Sequence, residues 1–207
     1  MNCDQIARWY RWLEYAAFGR ALERRRFAFL GQVADARRVL VLGDGDGRFL
    51  AQLIERNRRA SVDYVDSSRE MLELARMRAG TDRVAYLHGD ALTIPLPAAG
   101  YDLVVTHFFL DCLNADDARA LIPRVAASLK PDARWLISEF REPAWWAHAI
   151  VAVLYAFFRI AAGLRVCRLI DHRPLLANAG FALLREETAL AGLLASELWA
   201  RATIDPE

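Results

Sequence analysis

The sequence predicts an α/β fold: an open, mostly parallel sheet with helices on both faces. Three observations carry that reading. Val39-Leu40-Val41-Leu42 runs directly into Gly43-Asp44-Gly45-Asp46-Gly47, and Phe49, Leu50, Leu53 and Ile54 follow at helical spacing; a strand buried on both faces, a tight turn and a helix produce that order. Further apolar runs at 61–66, 84–88, 101–107 and 134–140 alternate with helical patterns, the cadence of strand–helix–strand units. The second and third of the strands end in carboxylates, Asp66 and Asp90. In a parallel sheet such ends border one crevice.

Residues 4–30 precede the first strand and read as helix. Asp4 can cap, Ile6, Trp9, Leu13, Ala16 and Ala17 share a face, and Gly19 separates a second helix carrying Leu22, Phe27 and Leu30. The segment is rich in aromatic residues, Tyr10 and Tyr15 among them, which suit packing on the domain or a lid over an apolar pocket. The first strand covers 38–43 and its helix 47–58. After the second strand, Ser67 with Glu70 forms a capping box, and Met71, Leu72, Leu74 and Ala75 supply the apolar face. The third strand leads through Asp90 and Ala91 into a loop with Pro95 and Pro97. The fourth, 101–107, has an apolar interior and is central. A helix follows at 115–129, a turn at Lys130-Pro131-Asp132 and the fifth strand from Arg134 to Phe140.

Ala144 to Phe158 contains one histidine and no formal charge, and is broken at Arg159, Gly163 and Arg165. At ~15 residues it falls short of the ~20 that a membrane span requires, so a buried cap helix or a helix resting at a lipid interface is expected. Leu175, Leu176 and Ala179 mark a last helix stopped by Gly180. Two strands, 181–187 and 196–203, joined by a longer link and antiparallel, close the sequence. The organisation is thus one domain: a helical extension at 1–36, a ligand-binding core at 37–142, an apolar cap at 143–172 and a terminal helix with strands at 173–207.

The 207 residues carry 27 basic and 26 acidic side chains, net +1, and 55% are hydrophobic. The balance gives no surface for nucleic acid, and the apolar share allows a sizeable core. Lys130 is the only lysine; the other basic residues are scattered arginines. Cys3, Cys112 and Cys167 are far apart, so neither a disulfide framework nor a metal site is expected. The N-terminus lacks the apolar run of a signal peptide. A cytoplasmic protein is the expectation, free or in peripheral contact with a membrane through 144–170; the oligomeric state is left open.

The ligand of the glycine loop can be narrowed. The loop is Gly-x-Gly-x-Gly, with Arg48 where a dinucleotide fingerprint has its third glycine, and it contains no Gly-Lys-Ser/Thr. Asp44 and Asp46 would repel a pyrophosphate, at about 4 kcal/mol per contact of ~4 Å for an effective dielectric of ~20. A ligand bearing an ammonium and a sulfonium would be attracted. Asp66 can accept both hydroxyls of a ribose, and Asp90 an exocyclic adenine amine.

These stretches together resemble the class I methyltransferases that use S-adenosylmethionine. Val39 to Gly47 resembles the glycine-loop motif of that family, and Val65-Asp66-Ser67-Ser68-x-x-Met71-Leu72 its second motif. Gly89-Asp90-Ala91 resembles the third and Tyr101-Asp102-Leu103-Val104-Val105 the strand of the fourth. Leu129-Lys130-Pro131-Asp132-Ala133-Arg134 resembles the turn before the fifth strand, and Gly180-Phe181 the start of the sixth. The resemblance implies a three-layer, Rossmann-like, seven-stranded sheet whose last strand is antiparallel. It implies Gly43, Gly45 and Gly47 beside the methionyl group, Asp66 on the ribose, Ser67 and Met71 near the adenine, Asp90 and Ala91 at the adenine edge, and His107 at the reacting end. It implies S-adenosylmethionine as donor, S-adenosylhomocysteine as product and no metal. The acidic residue the family often carries two positions before the first glycine is here Val41, so Asp44 or Asp46 would have to meet the ammonium.

For the reaction, His107 as general base oriented by Asp111 is the expectation, beside a structural role for both. Phe108, Phe109, Trp145 and Trp146, with Tyr10 and Tyr15, would line a pocket for a small apolar or lipid-like acceptor. A nicotinamide-dependent dehydrogenase and a non-catalytic binding protein on the same fold are the alternatives.

Overall fold

A computed structural model describes Tyr15, residues 18–162 and residues 168–202. Cys3, Tyr10 and Cys167, the apolar face expected from Ile6 to Ala17, and Gly163 and Arg165 lie outside the described residues. The sheet has seven strands: β1 (Arg38–Leu42), β2 (Ser61–Asp66), β3 (Val84–His88), β4 (Tyr101–His107), β5 (Leu129–Phe140), β6 (Phe181–Ala189) and β7 (Leu194–Arg201). Their order is β3-β2-β1-β4-β5-β7-β6. β7 runs antiparallel to both of its neighbours, and the remaining pairings are parallel.

The helices of the described residues are α1 (Ala21–Arg26), α2 (Arg48–Arg56), α3 (Arg69–Ala79), α4 (Ala115–Ser128), α5 (Trp145–Ala162) and α6 (Arg173–Asn178), with short 3-10 turns at Leu30–Gln32 and Leu110–Cys112. Alternation along the strands divides the core. Val39, Val41, Tyr64 and Val105 meet α2 and α3 on one face; Leu40, Leu42, Val104 and Ile137 meet α4 and Leu176 of α6 on the other. The unbroken apolar run of β1 is explained by this double coverage, since Val39 to Leu42 are all fully buried. A third cluster closes the carboxyl end of the sheet: Leu22 from α1, Phe108, Phe140, and Ala147, Val151 and Tyr155 from α5.

Three local expectations are corrected. The cap of α3 is Ser68, whose Oγ accepts the Met71 N–H at 3.2 Å, not Ser67. Asp66 Oδ1 takes the Ser68 N–H at 2.8 Å, a turn that shifts the helix start by one residue. Lys130-Pro131-Asp132 is no separate turn but an irregularity inside β5, where Tyr101 pairs with Leu129 and Leu103 already with Arg134. Bulged residues need no ladder N–H, so Pro131 is tolerated there. The last two strands are joined by Leu190–Leu193 alone, with Leu190, Ala191 and Gly192 at positive φ, not by a longer link.

One buried charge braces the sheet. Glu197 on β7 accepts from His172 Nε2 (2.8 Å), Trp199 Nε1 (2.8 Å) and Arg173 Nε (2.9 Å). Burial alone would raise its carboxyl, but the hydrogen bonds and charges of His172 and Arg173 outweigh burial and hold it at about 2. A depressed pKa stabilises the fold above the unfolded value of ~4.5 and loses that contribution as pH falls from there toward 2. Glu197→Gln is therefore expected to cost about 3 kcal/mol at pH 7 and to flatten the acid limb of the stability curve between pH ~4.5 and ~2. Urea unfolding across that range measures it, and an unchanged acid limb would refute the assignment.

Candidate functional site

The strand order reverses between β1 and β4, with β2 and β3 on one side and β5 on the other. That switch point opens a crevice beyond the carboxyl ends, where the loops after β1, β2, β3, β4 and β5 meet. At its centre Gly43, Gly45 and Gly47 take φ of +63°, +70° and +75°, which an L side chain rarely adopts. The Gly43 N–H donates to the Val65 carbonyl at 2.9 Å, and the Tyr64 hydroxyl donates to the Gly45 carbonyl at 2.8 Å. Both contacts come from β2, so the loop is held against its neighbour strand. A Cβ on Gly43 would lie 2.3 Å from the Phe109 ring, and one on Gly45 3.9 Å from Met71 Sδ. Met71 and Phe109 thus both border the glycine loop. Gly47 is the N-cap of α2, whose first N–H groups start at the loop.

The two loop carboxylates differ. Asp46 accepts from Arg48 Nε at 2.8 Å and from Arg78 Nη2 at 3.0 Å. It braces the loop to α2 and α3 through these two arginines. The Asp44 side chain is fully buried, and neither oxygen has a hydrogen bond within 3.5 Å. Burial pushes its carboxyl up to about 7 against the pull of Arg26, whose Nε stands 3.9 Å away. Of the two, Asp44 is the one with no hydrogen bond within 3.5 Å on either oxygen.

Asp66 ends β2, half-buried, beside His88 of β3, whose Nε2 lies 3.1 Å from the Ser67 carbonyl. Asp90 is exposed and accepts the Leu92 N–H at 2.9 Å; Ala91 is buried against the α4 side. Ser67 is exposed and Met71 buried. These residues stand together at the β2–β3 end of the crevice.

The β4 end is less open. His107 is fully buried, its ring edge-on to Phe49 at 4.7 Å, and neither ring nitrogen has a hydrogen bond. Burial and the nearby Arg26 push its pKa well below the ordinary value, so it stays neutral. The expected pairing with Asp111 is not formed. Asp111 instead accepts from Cys112 Sγ at 3.3 Å, and its own backbone N–H donates to Glu139 Oε2 at 3.4 Å. The reason is Glu139: its carboxylate accepts backbone N–H groups from Phe109 (3.2 Å), Leu110 (2.8 Å) and Asp111 (3.4 Å), and so draws the turn after β4 toward β5. Burial raises both carboxyls, and the charge of Asp111 raises Glu139 further. Phe108 opens that turn at φ +52°, a strained value for a bulky residue.

Among the pocket residues, Phe108 is buried, packs on Phe140 at 5.4 Å and lies under the Arg26 guanidinium at 4.9 Å. Phe109 and Trp146 are half-buried against the core. Trp145 is 84% exposed and Tyr15 46%. Two residues of the site, Arg26 and Glu139, are not singled out by the sequence. Glu139 has a signal, a carboxylate at a strand's carboxyl end like Asp66 and Asp90; Arg26 stands in an arginine run that marks nothing. Among the described residues, no group of three His, Cys, Asp or Glu side chains could hold a metal ion.

Residues 39–132 match the family described as "Methyltransferase domain". A demethylmenaquinone methyltransferase of Deinococcus radiodurans is 33% identical over 135 residues, 64% of this chain and 55% of that protein. A ubiquinone/menaquinone biosynthesis C-methyltransferase of Rubrivivax gelatinosus is 31% identical, over 60% and 48%. The chain spans about half the length of these two relatives. The Burkholderia thailandensis 1,6-didemethyltoxoflavin-N1-methyltransferase, solved with S-adenosylhomocysteine, shares the fold at TM-score 0.68 and 22% identity, covering 96% of this chain and 84% of that one.

Proposed function

We propose that the chain is a class I S-adenosylmethionine-dependent methyltransferase, in keeping with its methyltransferase-domain match, and that it methylates a small, apolar or lipid-like acceptor. The observation that carries this reading is the apolar roof over the carboxyl ends of β4 and β5, where Leu22, Phe108, Phe140, Val151 and Tyr155 meet. The quinone-related names of its relatives point the same way.

The donor, when bound, supplies a methyl group already activated by a sulfonium. The fit of this chain to it lies in the three positive-φ glycines and in the orphaned oxygens of Asp44: a bare backbone for close approach and an anion for an ammonium. Asp66 would hold the ribose, and Met71 and Asp90 would border the adenine. For an in-line displacement the protein's work is alignment and exclusion of water, to which the roof contributes. Neutral His107 offers the acceptor a hydrogen bond rather than full proton abstraction. Asp111, whose carboxyl burial raises above the ordinary carboxylate range, would receive the proton of a hydroxyl or acidic C–H acceptor.

The outward face of α5 exposes Trp145, Ile150 and Val153, which supports peripheral contact with a membrane as the source of a lipid-soluble acceptor. Among the described residues no helix is long and apolar enough to cross one. The experiment is transfer of labelled methyl groups into lipid extracts presented in vesicles, with co-sedimentation recorded. Label is expected in the organic phase, and His107→Ala is expected to slow transfer by about 10-fold or more while leaving S-adenosylhomocysteine affinity unchanged. Unaltered transfer would reduce His107 to packing, and no label in any lipid fraction would refute the acceptor class.

A further inference from the structure

The two edges of the sheet differ. β3 has five residues, and its Val84, Tyr86 and Leu87 are buried or half-buried. β6 has nine, is exposed from Ala182 to Thr188, and shows Leu183 and Leu184 at 36% and 56% exposure. It pairs with β7 alone, so alternate residues direct their N–H and C=O groups outward from the sheet. A very short strand protects an edge; a long one with exposed leucines is a template for another strand.

The charges of β6 select the strand that fits. Its ladder with β7 shifts register between Leu183 and Arg185 and is regular from Arg185 to Ala189. Arg185 and Glu187 lie on the α1 face. Arg185 is opposite Leu198, which shares a core cluster with Phe29 and Leu30, and Glu187 Oε2 takes Arg25 Nη1 at 3.1 Å. Glu186 lies on the other face, paired with Arg173 of α6 and with Arg141. Arg185 is exposed and, among the described residues, has neither ion pair nor hydrogen bond. The Glu187 side chain is 49% exposed and gives only one oxygen to Arg25. A second β6 laid antiparallel about a two-fold axis at Glu186 sets each Arg185 opposite the partner's Glu187, on the same face. The two copies of Glu186 meet at the axis, each already offset by two arginines. An axis at Arg185 would oppose two arginines, and one at Glu187 would leave Arg185 opposite an alanine.

We propose that two copies of this chain pair antiparallel through β6, joining their sheets into one and setting Arg185 of each against Glu187 of the partner subunit. The pairing satisfies the outward backbone groups of the edge and brings a strand alongside Leu183 and Leu184. It lies at the edge of the sheet, away from the switch point between β1 and β4, so it needs neither donor nor acceptor.

The test is sedimentation equilibrium of the protein at about 1–100 µM. Wild type is expected at about twice 23.4 kDa. Arg185→Glu sets like charges opposite each other at both ends of the pairing and is expected to weaken association about 10-fold or more. Glu187→Arg should do the same. Arg185→Glu combined with Glu187→Arg restores opposite charges and should regain most of the wild-type affinity. Wild type at 23.4 kDa throughout would overturn the proposal. So would unchanged affinity in Arg185→Glu, which would place the contact on another face, or a double variant no tighter than the single ones. Glu186→Cys keeps the proposal open to refutation if a charge variant does not fold: opposed residues stand about 4.5–5.5 Å apart, within disulfide reach. Mild oxidation should link position 186 of one subunit to position 186 of the other, and a dimer that forms no such link would overturn the pairing.

Discussion

Asp66→Ala is expected to weaken S-adenosylhomocysteine binding by about 100-fold or more, the loss of two hydrogen bonds to a charged acceptor. Asp66 stands at the carboxyl end of β2, one strand away from the glycine loop. It also serves the fold, since Oδ1 accepts the Ser68 N–H at 2.8 Å. The alanine variant alone would mix the two roles. Asp66→Asn separates them: an asparagine oxygen still accepts from Ser68, so the melting temperature should stay near that of wild type while affinity falls. Calorimetry of both variants beside thermal unfolding measures this. Affinity within about three-fold of wild type in Asp66→Ala would remove Asp66 from the site.

A large loss of stability is expected at Gly47. Its φ is +75°, and a Cβ there would lie 2.7 Å from Ala75 Cβ and 2.8 Å from Ala75 Cα in α3. The left-handed backbone costs an alanine about 1 kcal/mol, and overpacking against backbone adds about 1–3 kcal/mol. Gly47→Ala should therefore destabilise by about 3 kcal/mol, or ~10 °C in melting temperature for a chain of this size. Gly180 is the control: its φ is +83°, but a Cβ there would meet nothing within 4 Å. Gly180→Ala should cost only the backbone share, about 1 kcal/mol. Equal costs for the two in urea unfolding would show that the approach of α2 to α3 is not limited by Gly47.

What the sequence makes legible is what short-range physics controls. The run Val39–Leu42 and the three glycines announce a buried strand and a tight turn, because only glycine accepts such φ values freely and only double coverage demands so apolar a strand. Asp66 and Asp90 stand where strand ends meet a crevice. Residues whose role depends on distant partners do not show. Arg26 matters because folding brings it to Asp44, and Glu139 because it collects backbone N–H groups from residues about thirty positions earlier in the chain. The same remoteness undoes the His107–Asp111 pairing: four residues apart in sequence, they are parted by Glu139, which claims the turn. The final hairpin is longer than its sequence pattern suggests, because β6 has a partner strand on one side only and is exposed through Ala182–Thr188. Its sequence therefore lacks the alternation a half-buried strand would carry.

Donor binding is tested most directly by one titration, S-adenosylhomocysteine into the wild-type protein by calorimetry, with nicotinamide dinucleotides as the comparison. Saturable binding of S-adenosylhomocysteine at one site per chain is expected, and none of either dinucleotide. Absence of S-adenosylhomocysteine binding, or saturable binding of a nicotinamide dinucleotide in its place, would contradict the assignment of the glycine loop, Asp44 and Asp66 to a methyl donor.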